Sequence, residues 1–407
     1  MKIFLRRLKS FIKKHVKKFL YKKLSPTVFK LYSRKPVNEK LVVFADSSAV
    51  VMPDNMTEIY DRLNDMGYET RVFLKRKGSK KWLKDKLYEV INSCRFTKYY
   101  AQCSCLILTD YYYYAYANKP RENQQVIQLW HGCGAFKKWG YSTADLEWGA
   151  DEKALTEYPI HNTYTYVTVS DESVKKFYAE AFNCDEKIIH ADGVPRTDKY
   201  FDMKYVSSSR EKVLEKYPEI GNRKIILYSP TFRGVSKGKA NFVQMLDFLY
   251  LKKHLEKEYV ILVKLHPFIK KGMNLSKGLK EIYGDFVFDV SKTLPIDDAM
   301  CASDMVITDY SSLIFEYALL TRPMIFFAYD LKQYDRERSF YFNYENFVPG
   351  DIVKDTEELY KAIRKNENNF DQEKVGDFRK RFMSACDGKS TERILNKITK
   401  GKRYGFV

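Results

Sequence analysis

From residue 40 onward the chain repeats one alternation. A short apolar run rich in β-branched residues gives way to a segment whose apolar residues recur every three or four positions, and then the run returns. A continuously apolar run is a strand buried on both faces. Strands of that kind, separated by helices, join as parallel neighbours, because a parallel connection needs a crossover rather than a hairpin. The strand candidates are KLVVFADS (40–47), ETRVFLK (69–75), CLILTD (105–110), VIQLW (126–130), KIILYSP (224–230), YVILVKLHP (259–267), FVFDVS (286–291), DMVITD (304–309) and PMIFFAYD (323–330). MTEIYDRLNDMG (56–67) reads as a helix ended by glycine. TYVTVSDESVKKFYAEAF (165–182) reads as strand, cap and helix, and KIIHADGVPRTDKYF (187–201) as strand, loop and turn.

The alternation occurs twice, on either side of a charged stretch, KYVSSSREKVLEKYPEIGNRK (204–224), which has no long apolar run and is a candidate junction. A chain of 407 residues is also too long for one ordinary core. The expected fold is α/β: two Rossmann-like domains facing a cleft, over 36–210 and 211–407, behind a basic segment at 1–35. In open α/β sheets ligands bind beyond the carboxyl ends of the strands.

Chemistry-bearing residues collect at those ends. After VIQLW come His131, Gly132, Cys133 and Gly134; after KIILY come Ser229, Pro230, Thr231, Phe232 and Arg233; after VILVKL come His266 and Pro267; after DMVIT come Asp309, Tyr310, Ser311 and Ser312. A loop histidine can deprotonate an alcohol near neutral pH, and glycines beside it would leave room for a substrate. Two serines ahead of a helix offer hydroxyls and free N–H groups to a phosphate. The planar fork of Arg233 suits phosphate oxygens, and His266, if protonated, would offset charge on a leaving phosphate. Taken singly, each of these has a plain reading as a turn or a helix cap. Together they have the parts of a phosphoryl-transfer site, which works by positioning and charge stabilisation.

The first 24 residues, MKIFLRRLKSFIKKHVKKFLYKKL, hold ten Lys or Arg and no acid. At 100° per residue Phe4, Leu5, Leu8, Phe11, Ile12, Val16 and Phe19 share one arc, which also holds His15, and the lysines and arginines lie opposite. That is the pattern of a helix in an anionic membrane interface; a basic helix docked on its own protein, or a nucleic-acid arm, gives a similar one. Ser25 and Pro26 are expected to end it. The net charge of +19 also points to anionic partners. No apolar stretch approaches the ~20 residues that span a bilayer, and the start lacks the apolar core of a signal peptide. The seven cysteines are odd in number and scattered, which reads as reduced thiols in a cytosolic protein.

Four blocks, QLWHGCGAFKKWG, YSPTFRG, VKLHPF and ITDYSSLIFEYALLTRPMIFFAYDLKQY, with GVPRTDKYF as a weaker fifth, make the chain resemble the CDP-glycerol glycerophosphotransferases, the family of teichoic acid primases and polymerases. The resemblance spans roughly residues 126 to 334 and implies a GT-B fold. It implies that His131 is the general base for the acceptor hydroxyl and that His266 acts on the donor pyrophosphate. Trp130, Gly132, Cys133 and Gly134 would border the substrate. Pro230, Thr231, Arg233 and Arg196 would bind the donor, Ser311 and Ser312 would hold phosphate, and Glu316 would reach a ribose or glycerol hydroxyl. The implied reaction is attack of an acceptor hydroxyl on the β-phosphorus of CDP-glycerol with CMP leaving, and the implied acceptors are lipid-linked glycans or polyol phosphates at the cytoplasmic face of the cell membrane. No metal motif and no cofactor motif stand out, and Arg, His and a helix N-terminus would supply the charge. Two departures from the family pattern are Cys133-Gly134 where Thr-Pro is common, and Glu316 where Asp is common.

Other readings differ in donor or in class. CDP-ribitol ends in the same pyrophosphate-CMP as CDP-glycerol, which is placed ahead of it, and another GT-B glycosyltransferase is a further alternative. The tyrosine run DYYYYAYANK (110–119) and the charge would suit nucleic acid, although tyrosines after a strand equally line a polyol groove or pack an interface; the expected partners include no nucleic acid. A catalytically dead membrane scaffold is disfavoured by the intact His131 and His266.

Overall fold

The computed structural model describes residues 15–76, 82–144, 146, 149, 151–233, 244–267, 269 and 281–400. Two six-stranded sheets form its frame. The first holds β1 (Asn38–Ala45), β2 (Glu69–Phe73), β3 (Cys103–Leu108), β4 (Gln125–Gln128), β5 (Tyr166–Thr168) and β6 (Ile189–His190), in the order β2-β1-β3-β4-β5-β6. The second holds β7 (Lys224–Ser229), β8 (Tyr259–Val263), β9 (Val287–Asp289), β10 (Met305–Thr308), β11 (Met324–Phe327) and β12 (Asp351–Val353), in the order β12-β11-β10-β7-β8-β9. Every strand pairing within them is parallel. Full burial of β3, β8, β10 and β11 accounts for their unbroken apolar sequence.

Strand order fixes where a ligand can sit. The direction of winding reverses between β1 and β3 in the first sheet and between β7 and β10 in the second. At such a reversal neighbouring loops diverge and open a crevice at the carboxyl ends. The loops concerned carry Asp46 and Thr109 on one side, and Pro230, Thr231, Ser311 and Ser312 on the other.

The basic segment behaves differently from expectation at its end. The helix does not stop at Ser25-Pro26 but continues as α1 (Ser25–Tyr32). A π-turn over Leu20–Leu24 precedes it, with Ser25 N–H donating to Leu20 O. Proline lacks an N–H and its ring collides with the carbonyl four residues back; one widened turn relieves both constraints. Tyr21 anchors the segment by donating to Tyr116 O at 3.0 Å and Pro159 O at 3.1 Å. Leu20 is buried beside it, whereas Phe19 is 52% exposed. The rest of the apolar arc, residues 4–12, lies outside the described residues. No helix among the described residues is long and apolar enough to cross a membrane.

The charged stretch 204–224 is mostly helical. After α2 (Asp54–Asp65), α3 (Trp82–Gln102) and α4 (Lys175–Phe182), helix α5 (Met203–Lys216) packs on α6 (Ile296–Ala302). Its apolar face is short, but Ser209 bonds Asp298 and Arg210 bonds Asp304. Helix α7 (Leu313–Ala318) follows β10. The chain then returns: α8 (Ser390–Lys400) lies against α2, and Ile394, Leu395 and Ile398 join Val42, Phe44, Met56, Ile59 and Leu63 in one buried cluster. Asp198 caps α8, accepting from the N–H groups of Ser390 and Thr391. All seven cysteines are free thiols.

Truncating Ile394 to Ala leaves a cavity in the first half's core although the residue lies near the end of the chain. We expect a loss of about 2–5 kcal/mol, read as a lower urea midpoint at unchanged slope; a midpoint equal to wild type would show that α8 contributes no packing.

Candidate functional site

His131 is thrown into the cleft by the residue before it. Strand β4 ends at Gln128, and Trp130 adopts a left-handed backbone (φ 55°), a conformation that costs a bulky residue energy unless its surroundings impose it. Here they do. The buried amide of Gln128 accepts from Trp130 N–H at 2.9 Å, and the Asn55 amide donates to Trp130 O at 2.7 Å. The indole packs against Tyr111, His161 and Phe182. His131 Nδ1 lies 3.3 Å from Thr109 O and 3.8 Å from the Asp110 carboxylate. Donation from Nδ1–H to that carbonyl leaves the Nε2 lone pair as the ring's acceptor. The surrounding protein lowers the ring's pKa by penalising its charge; Asp110 opposes this and Arg196 reinforces it, so the net direction is below the ordinary 6.5.

Two cavities meet at this histidine. The larger, about 600 Å³, is lined from the first sheet by Asp46, Asn55, Thr109, His131 and Arg196. From the second sheet come Pro230, Thr231, Lys264, His266, Ser311, Ser312 and Glu316. The smaller, about 280 Å³, is lined by Trp130, His131, Gly132, Cys133, Gly134, Lys137, Lys138, Trp139, Ser312 and Arg338, among others. Among the described residues, His131 and Ser312 line both.

Arg196 binds the two halves together. Its Nη1 donates to His131 O at 2.8 Å, and its Nη2 pairs closely with Glu316 Oε1 across the cleft. Asn55 accepts from its backbone N–H at 2.9 Å. Burial disfavours the guanidinium's charge, but Glu316 together with Asp297 and other neighbours outweighs this and the pKa moves up. Glu316 Oε2 is buried and makes no hydrogen bond among the described residues.

Arg233 sits apart from the cavity linings. Its Nε and Nη2 engage Asp330 at 2.6 and 2.9 Å, and its Nη1 engages Asp309 at 2.9 Å. Tyr310, Tyr329 and Tyr334 surround it with ring centroids 5.0–5.2 Å away. Both carboxylates hold its charge on despite burial. Where the sequence suggested a grip on phosphate, the structure shows a clamp that ties the loops after β7, β10 and β11 to one another. Asp309 Oδ1 also accepts from Thr231 N–H at 2.8 Å, which fixes the loop that does face the cavity.

Both glycines border the smaller cavity, and Tyr178 donates to the Gly132 carbonyl at 3.0 Å. The space beside Gly134 is filled by Phe315 of α7: a Cβ there would lie 2.2 Å from the ring, at φ 62°. The small size of Gly134 thus makes room for a ring from the other half of the protein. The Cys133 thiol is buried next to Glu316, and burial together with that charge pushes its pKa well above the usual range. In the tyrosine run, Tyr112 and Tyr116 are core residues, Tyr111 packs on Trp130, and Tyr113 lies 44% exposed under Lys17.

Four lining or positioning residues were not singled out from sequence: Asp46, Asn55, Asp110 and Lys264. Asp46 and Asp110 close the strands KLVVFAD and CLILTD, so the strand-end rule that found His131 reaches them too. Asp46 accepts from Thr109 Oγ1 at 2.6 Å and from the N–H groups of Ser48 and Ala49 at 2.7 Å. Lys264 donates to Leu294 O and Ser291 O, and burial lowers its pKa. Asn55 lies in a helix and carried no such signal.

The model of the CDP-glycerol:poly(glycerophosphate) glycerophosphotransferase family matches residues 27–400. The chain belongs to this family. It is 36% identical over 375 residues to the teichoic acid ribitol-phosphate primase of Bacillus spizizenii, covering 92% of this chain and 94% of that protein. It is 31% identical to the teichoic acid glycerol-phosphate primase of Bacillus subtilis, over 72% of this chain and 73% of that one. Against the poly(ribitol-phosphate) polymerase of Bacillus spizizenii, at 35% identity, it spans 56% of the relative's length. Its fold matches the solved wall teichoic acid polymerase TagF with a TM-score of 0.74 at 27% identity, over 98% of this chain and 96% of that one. This glycerophosphotransferase-family chain is therefore a transferase with the GT-B architecture.

The clamp geometry has a direct consequence. Arg233→Ala leaves the buried carboxylate of Asp309 and the part-buried one of Asp330 without their cation, and we expect destabilisation of about 3–5 kcal/mol, seen as a fall in Tm. Little change in Tm would mean that the three loops hold together without it.

Proposed function

We propose that the protein transfers a polyol phosphate from a CDP-polyol to a hydroxyl of a lipid-linked acceptor, releasing CMP. The observation that carries this reading is that His131 borders two cavities at once. A donor in the larger cavity and an alcohol in the smaller would both reach its ring. The acceptor oxygen attacks the β-phosphorus; a new O–P bond forms, the anhydride P–O bond breaks, and CMP leaves with the electron pair. The hydroxyl proton passes to His131 Nε2. Thr231, His266, Ser311 and Ser312 supply donors towards the pyrophosphate, and Lys264 adds charge nearby. Arg196 and Glu316 stand beside the donor, the guanidinium for phosphate and the carboxylate for a hydroxyl.

Ribitol is the polyol favoured by similarity, since the ribitol-phosphate primase aligns over nearly its whole length. Glycerol, placed first on sequence grounds, keeps the support of the family description and of the glycerol-phosphate primase. CMP release from CDP-ribitol and CDP-glycerol with a lipid-linked acceptor, in EDTA, separates the two. Preference for CDP-ribitol is the expected result; turnover of only a nucleotide sugar would overturn the polyol reading.

For the base, His131→Ala should cut the rate about 10²–10⁴-fold without lowering Tm. A neutral imidazole is required, so kcat/KM should rise with pH through an apparent pKa below 6.5. Asp110 raises that pKa, so Asp110→Asn should move the limb to still lower pH. Near-wild-type rates in His131→Ala would make the residue structural.

The basic segment supports a peripheral site on an anionic membrane at its cytoplasmic face. Its Phe19 stays exposed while Leu20 and Tyr21 dock on the protein. Co-sedimentation with phosphatidylserine vesicles that survives removal of residues 1–14 unchanged would argue against a lipid role for that stretch.

A further inference from the structure

The strained backbone of Trp130 rests on a layer of polar side chains set behind the cleft. Gln128, His161 and Tyr164 are buried, and among the described residues none of them lines either cavity at His131. They form one chain of hydrogen bonds that ends on Trp130. Gln128 Nε2 donates to Tyr164 Oη at 2.7 Å and lies 3.5 Å from Asp110 O. Tyr164 Oη also meets Tyr116 Oη and His161 Nδ1, each at 2.7 Å. At the other end of the amide, Gln128 Oε1 accepts from Trp130 N–H.

Only one orientation of the Gln128 amide satisfies both ends. A backbone N–H can only donate, so Trp130 requires the amide oxygen. The NH2 group is then left facing Tyr164, whose hydroxyl gives it one lone pair. That hydroxyl has one proton and one lone pair remaining, and Tyr116 and His161 take one each. A neutral imidazole can serve in either role, and burial lowers the pKa of His161 to about 3, which keeps it neutral. The ring is held at a cost. Its Nε2 is buried without a hydrogen-bond partner among the described residues, and its backbone is left-handed at φ 61°. An apolar side chain would avoid the unpaired nitrogen; the imidazole adds the bond to Tyr164. The same ring packs edge-on against the Trp130 indole, with centroids 5.9 Å apart. Trp130 is thus gripped at its ring and, through Tyr164 and Gln128, at its N–H.

We infer that Tyr164 and His161 are positioning residues for His131: through Gln128 they hold the left-handed backbone of Trp130 that turns the next residue into the cleft. The inference rests on the reading of His131 as the base. Without the Tyr164 hydroxyl nothing selects the orientation of the amide. Flipped, it sets NH2 against the Trp130 N–H, donor against donor, and Trp130 gains by relaxing out of its strained conformation. His131 Nδ1 then leaves Thr109 O, and Nε2 is no longer held as the acceptor. Donor binding is spared, because Thr231, Ser311 and Ser312 belong to the second sheet's loops.

The test uses the full-length protein with Tyr164→Phe, Gln128→Met and the double variant, assayed by CMP release above the pH of the His131 limb. Misplacement of the base should lower kcat roughly ten- to hundredfold in Tyr164→Phe, with the KM for CDP-polyol within about twofold. The double variant should be no slower than the slower single, because both changes break one chain. A hydroxyl with a merely structural role would lower Tm and leave kcat per folded molecule unchanged, and that result overturns the inference. Losses that multiply in the double variant overturn the route through Gln128. Gln128→Met tests the chain from its near end if Tyr164→Phe does not fold. Ring-nitrogen NMR of histidine-labelled protein is the second arm, with His131 assigned through His131→Ala. Wild type should show the His131 proton at Nδ1, and either single variant should show a mixture of tautomers. This arm does not depend on turnover: near-wild-type rates in His131→Ala would remove the base reading, and the tautomer would still report whether Tyr164 sets the ring. An unchanged tautomer in folded variants refutes the positioning role.

Discussion

One buried ion pair organises the cleft. Arg196 reaches from the turn after β6 to Glu316 on α7, and on the way it holds the carbonyl of His131. Removing both charges from water is costly, and the pair recovers that cost only through close geometry and additional hydrogen bonds. The additional bonds are there: Asn55 accepts from Arg196 N–H and in turn donates to Trp130 O. The backbone on both sides of the histidine is therefore set by the contact that also sets the approach of the two halves. Any ligand that competes for Arg196 acts on domain approach and on His131 together.

Around that pair the parallel sheets impose the rest. Each reverses its winding once, and the two reversals face each other, so loops distant in sequence share one crevice. Rigid buried strands end there, which suits a reaction that depends on placement more than on covalent chemistry. A carbonyl and a carboxylate steady Nδ1 of His131, while carboxylates inside the walls consume the charge of Arg233 and Lys199.

The strands and the site loops could be read in the sequence because both follow local rules: apolar runs for buried strands, and polar residues at their carboxyl ends. Strand β12 was missed, since Asp351–Val353 is short and only partly buried. The π-turn before Pro26 was missed because a proline inside a helical pattern ordinarily marks its end. The clamp at Arg233 could not be read locally because its partners, Asp309 and Asp330, lie 76 and 97 residues away. Gly134 has the same history: its small size answers to Phe315, and no local pattern announces a ring from another domain. The resemblance named candidate residues but could not say which of them touch the cavity.

The return of α8 to the first half has a mechanical meaning. The polypeptide passes between the halves once after the turn at Pro195–Phe201 and again before Ser390, so the halves are joined by two strands of backbone. A single tether permits bending and free twisting. A double tether resists twist and leaves a door-like swing about the line between the two crossings as the easy motion. A swing about that line would bring the same faces together each time.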